Sequence, residues 1–104
     1  MVIEWLKFRV TSHSREKFIQ QDAQIWTSFL EKYPAFLGKE VWINPKQPDE
    51  IICVIRWQNK ESWNAIPQNL LEATEQQFAA AMGETAYNII EGSEYQVRKF
   101  PTYT

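Results

Sequence analysis

Glycine is scarce, with three residues in 104, and the chain holds one cysteine, Cys53, and one histidine, His13. A single thiol excludes an intramolecular disulfide and any cysteine-cluster metal site. No glycine-rich phosphate loop, Gly-x-Ser-x-Gly nucleophile or His-Glu-x-x-His sequence is present, which argues against ATP-dependent, serine-hydrolase and zinc-protease chemistry. With one loop histidine and one cysteine among apolar neighbours, ligands for a metal are few, so no cofactor is expected: no haem, flavin or transition metal. No apolar stretch approaches the roughly 18 residues of a membrane span. Met1-Val2-Ile3-Glu4-Trp5 lacks the basic segment and apolar run of a secretory leader, so a cytoplasmic location is expected, with no membrane partner. An excess of positive charge is missing too. The net charge is −2 and the 11 lysines and arginines are scattered, which excludes the basic footprint expected for nucleic acid.

What the chain does have is aromatic side chains: five Trp, four Tyr and six Phe. Such residues bury large areas and dominate cores, interfaces and ligand pockets. Hydrophobic residues make up 44% and charged residues 23%, the balance of an ordinary globular domain, and the length suits one domain over residues 1–104.

Alternation predicts a strand over 2–10, with Leu6, Phe8 and Val10 on one face and Ile3, Trp5, Lys7 and Arg9 on the other. Thr11-Ser12-His13-Ser14 offers N-caps for a helix over about 15–33, ended by Pro34. A second strand is expected over 36–43 and a breaker-rich turn over 44–50. Ile51 to Trp57 reads as a central strand covered on both faces. Asn59 can cap a short helix through Trp63 to Ile66; Pro67 interrupts it, Asn69-Leu70-Leu71-Glu72 resembles a capping box, and Gly83 ends the second long helix. Glu84 to Ser93 reads as a connector and 94–100 as the last strand, followed by a short tail. The order β-α-β-β-α-β predicts a ferredoxin-like α+β fold, a four-stranded antiparallel sheet with helices on one face. The other sheet face would expose Ile3 and Trp5, and a second subunit's sheet is its simplest cover.

Asp22-x-x-Ile25-Trp26, Lys39-Glu40-x-Trp42, Ile55-Arg56-Trp57 and Trp63 together resemble a small, uncharacterised cyanobacterial protein family of the dimeric α/β-barrel superfamily, which includes the antibiotic-biosynthesis monooxygenases. The resemblance spans nearly the whole chain. It implies a homodimeric α/β barrel with a pocket between each sheet and its helices, in a superfamily of cofactor-independent oxygenases, haem-degrading enzymes, lactone isomerases and proteins of other roles. Many haem-binding and monooxygenase-like members carry a histidine on the second long helix. Residues 63–82 have none, which disfavours haem degradation.

Asp22 is the most informative residue. On a helix it falls inside the apolar stripe formed by Phe18, Trp26, Phe29 and Tyr33. A carboxylate there must find a donor or a cation, or take up a proton. It can anchor to an indole, a backbone amide, or a lysine or arginine of the sheet, or act as a general base facing a pocket. Arg9 and Arg56 either pair with acidic neighbours or, turned to a cavity, hold a substrate oxyanion through their donor forks. Trp5, Trp26, Trp42, Trp57 and Trp63 belong to the core or interface, or line a pocket for a flat aromatic ligand. Two functions follow. One is a homodimer that binds a small aromatic or apolar ligand, or a partner, without catalysis. The alternative is a cofactor-independent monooxygenase or isomerase of a small aromatic or polyketide-like substrate, with Asp22 as base and an arginine on the oxyanion.

Overall fold

A computed structural model describes residues 1–100; the expected tail at 101–104 lies outside the described residues. Strand β1 (Val2–Val10) leads through a 3-10 turn at Ser12–Ser14 into helix α1 (Arg15–Gln21), a π-helical stretch (Asp22–Thr27) and α2 (Ser28–Leu30). Then come β2 (Phe36–Asn44), β3 (Gln47–Trp57), α3 (Lys60–Asn64), α4 (Gln68–Met82) and β4 (Tyr87–Gln96). The four strands form one antiparallel sheet in the order β2-β3-β1-β4, so β1 and β3 are interior. This is the ferredoxin-like arrangement the alternation predicts.

Period two divides the sheet into faces. Val2, Leu6, Phe8 and Val10 of β1 share the helix-covered face with Ile51, Cys53, Ile55 and Trp57 of β3, each across from its β1 partner or one step along. Two buried clusters result. Val10, Phe18, Ile51, Cys53, Phe78 and Met82 pack at one end, and Val2, Leu30, Ile55, Trp57 and Ile66 at the other.

Several boundaries differ from expectation. The long helix ends at Leu30 rather than Tyr33, because the N–H groups of Lys32 and Tyr33 already bond back to Phe29 and Leu30 in tight turns. Its start has no side-chain cap at Thr11 or Ser14. The turn expected over 44–50 shrinks to Pro45-Lys46, pinned by Asn44 Oδ1 accepting the Lys46 N–H at 3.0 Å. Pro48 is tolerated in β3 because it falls where the β2 register shifts, between Ile43 and Asn44, and needs no ladder bond there. Helix α4 begins at Gln68 behind Pro67, so Asn69 lies inside it and caps nothing. Asn59 does cap α3, accepting the Ser62 N–H at 2.7 Å.

The last strand is the largest correction. It occupies most of the expected connector and ends at Gln96 instead of Phe100. Opposite Lys7 and Phe8 its partners skip from Glu91 to Ile89. That bulge breaks the alternation by which a strand is recognised.

Candidate functional site

Between the helices and the inner sheet face lies a cavity of about 640 Å³. The sheet contributes Glu4, Leu6 and Phe8 from β1, Lys39 from β2, and Cys53, Ile55 and Trp57 from β3. Phe18, Asp22, Trp26 and Leu30 face it from the long helix, four residues apart throughout. In an unbroken α-helix that spacing creeps around the axis, since 3.6 residues make a turn. The π-helical stretch Asp22–Thr27 takes more residues per turn and cancels the creep. Asp22 and Trp26 thereby join Phe18 and Leu30 on one wall. Trp63, Leu71, Phe78 and Tyr87 complete the lining.

Asp22 is 4% exposed, and its carboxylate meets the Lys39 ammonium at 2.6 Å. The Lys39 side chain is itself only 4% exposed. Burial raises the Asp22 pKa above the ordinary carboxylate range, and Lys39 pulls it partly back. Glu4 is the second carboxylate of the wall. Its Oε1 accepts the Trp57 indole N–H at 3.2 Å, and burial raises its pKa against the opposing pull of that hydrogen bond and of Lys39 and Lys60. Trp57 stacks parallel on Trp63 with centroids 6.0 Å apart, and the Lys60 ammonium sits 3.6 Å from the Trp63 ring centre. The Cys53 thiol also lines the cavity, but burial pushes its pKa up to about 12, so it holds its proton near neutrality and is no nucleophile.

Of the residues singled out by sequence, Asp22, Trp26, Trp57 and Trp63 come together on this cavity. Arg9 and Arg56 do not line it, and of the two alternatives the sequence offered they take the pairing with acidic neighbours. Both alternate with the inward positions and project from the opposite sheet face, where Arg9 pairs with Asp49 at 3.5 Å and Arg56 with Glu40 at 3.0 Å. Trp5 and Trp42 share that outer face. Trp42 donates its indole N–H to Glu40 at 2.9 Å, and Trp5 lies 5.5 Å from the Lys7 ammonium. His13 is an exposed residue of the 3-10 turn. Sequence reasoning missed Glu4 and Lys39. The alternation that turns Leu6 and Phe8 inward carried the signal for Glu4; Lys39 had none, because its strand alternates weakly.

Across the described residues no three His, Cys, Asp or Glu side chains converge as a metal site would require, and no helix is long and apolar enough to cross a membrane. The family model described as antibiotic biosynthesis monooxygenase matches residues 1–82. The chain belongs to the antibiotic biosynthesis monooxygenase family. Solved structures with the same fold include a candidate antibiotic biosynthesis monooxygenase from Chloroflexus aurantiacus, at 24% identity and TM-score 0.66 over 97% of this chain and 96% of that one. SnoaB from Streptomyces nogalater, a cofactor-independent oxygenase, superimposes with TM-score 0.68 at 15% identity, covering 95% of this chain and 94% of its own. A Deinococcus radiodurans protein of the same description gives TM-score 0.71 at 13% identity over 100% and 99% of the two chains. No curated protein shares significant sequence similarity with this family member.

Proposed function

We propose that this protein is a homodimer that binds a small, flat, largely apolar ligand between its sheet and its helices. The observation that carries the reading is the cavity. Its volume, about 640 Å³, lies within the range of small-molecule sites, and its walls combine aromatic faces with a few convergent polar groups. Tryptophan emission provides the test, because Trp26, Trp57 and Trp63 line the space. A naphthalene-sized probe should quench it saturably, and Leu71→Trp, which narrows the cavity, should weaken the probe's affinity. An affinity left unchanged by Leu71→Trp and by Asp22→Asn alike would place the probe elsewhere and refute the site.

A second reading is favoured by one feature, the Asp22–Lys39 pair at 2.6 Å in the cavity wall. A carboxylate with a raised pKa suits proton abstraction, and an adjacent ammonium can balance an oxyanion. SnoaB, which shares the fold, is a cofactor-independent oxygenase, and the same chemistry here would make Asp22 the base toward an acidic hydroxyaromatic. Oxygen uptake with polycyclic phenols, lost in Asp22→Asn while probe binding persists, would support catalysis. No uptake with any phenol that binds would leave the binding function alone.

A further inference from the structure

The ionisable groups of the cavity do not balance. Glu4, Asp22, Glu72 and Glu75 line it against a single ammonium, that of Lys39. Lys39 is committed to Asp22 at 2.6 Å, both side chains sealed from solvent. The other three carboxylates have only neutral donors among the described residues. Glu4 accepts from the Trp57 indole at 3.2 Å, Glu75 from the Tyr87 hydroxyl at 2.8 Å, and Glu72 from the Gln68 amide at 3.4 Å. Register deepens the imbalance at Glu4, whose partner across β4 is another carboxylate, Glu94. The Lys60 ammonium beside that pair is bound to Glu94 at 2.7 Å.

Negative charge is thus arrayed around aromatic faces, and a ring face itself attracts cations. The chain shows the motif in miniature at Lys60, whose ammonium sits over the Trp63 ring while it bonds Glu94. An anionic ligand would meet the opposite situation, repelled by three carboxylates and offered only a lysine already paired.

We propose that the cavity selects a cationic ligand: a flat aromatic or apolar body bearing an amine or quaternary ammonium group, seated against Glu4 with Glu72 and Glu75 at the rim. This rests on the reading that the cavity binds a small flat molecule, and it adds the sign of that molecule's charge. Discrimination follows from differential cost, since the wrong charge must lose its hydration without gaining a partner.

Three probes of one body, 2-naphthylmethylammonium, 2-naphthylmethanol and 2-naphthoate, separate the two readings when titrated by tryptophan fluorescence at neutral pH and low salt. The ammonium should bind at least about tenfold more tightly than the alcohol, and the carboxylate more weakly than both. Glu4→Gln should remove most of the ammonium's preference over the alcohol, read as the ratio of their two affinities in the same variant. Because Glu4 is half-buried and its substitution can disturb folding, Glu72→Gln combined with Glu75→Gln provides an exposed control, expected to reduce the preference severalfold in a salt-sensitive way. Binding of the alcohol or the carboxylate as tightly as the ammonium overturns the charge selection while the cavity reading stands. If no probe binds, the cavity reading fails and this inference with it.

Discussion

At the scale of single residues the protein turns on how two acids are held inside an aromatic wall. A buried ion pair is expensive to assemble and more expensive to break, because the orphaned partner cannot recover its water. Lys39→Met should therefore destabilise the protein by about 3–5 kcal/mol in urea unfolding, while Lys39→Met combined with Asp22→Asn should regain most of that loss. Additive losses would mean that the pair is not coupled. Glu4 makes a prediction in pH. Its pKa is raised in the folded state, so the native protein holds a proton that the unfolded chain has released. That contribution to stability is complete below the unfolded value and fades as pH rises from about 4 through the folded value. Asp22 acts in the same direction. Glu4→Gln should flatten the decline and raise stability at neutral pH relative to acid; an unchanged slope in denaturant titrations at several pH values would contradict the burial.

Among the elements, the helix between β1 and β2 is the one that makes a site. Its π-helical stretch has the form of one residue too many, a feature common where function outweighs regularity. Removing the exposed Gln24 leaves cavity-facing positions spaced as i, i+4, i+7 and i+11, the stripe of an ordinary α-helix. The deletion should fold with stability within about 1 kcal/mol of the parent, or above it, and lose probe binding as the wall around Asp22 is redrawn. A large destabilisation with binding intact would show that the packing, and not the site, requires the stretch. Helix α4 ends differently. Gly83 has φ +62° and ψ −124°, and a Cβ added there would meet nothing within 4 Å. Gly83→Ala should thus cost about 1–3 kcal/mol from backbone strain alone, measured as a lowered unfolding midpoint.

For the whole molecule the open question is the outer sheet face. Trp42 is 44% exposed and Tyr95 57%, beside Ile3, Trp5 and Ile52 on the same side of the sheet. A face of that kind favours association with a second copy. Light scattering should give twice the chain mass at micromolar concentration, and Trp42→Asp, which places a charge in the apolar face, should shift the protein toward monomer. A parent protein that is monomeric at that concentration would refute the homodimer.

Local chemistry carried much of this structure. Period two in Val2–Val10 set both faces of the first strand, the apolar run Ile51–Ile55 set an interior strand of the sheet, and Gly83 set a helix end. Each depends on neighbours within a few residues. The same local pattern made Asp22 conspicuous, because a carboxylate inside an apolar stripe demands a partner wherever the helix packs. The partner itself was not legible. Lys39 lies on a different element, and only the sheet order β2-β3-β1-β4 with the register of Lys39 opposite Ile55 brings it beneath the helix. The π-helical stretch and the bulge that lengthens β4 were likewise decided in three dimensions. Backbone registry across strands fixes which side chains share a wall, and no local signal along the chain records that registry.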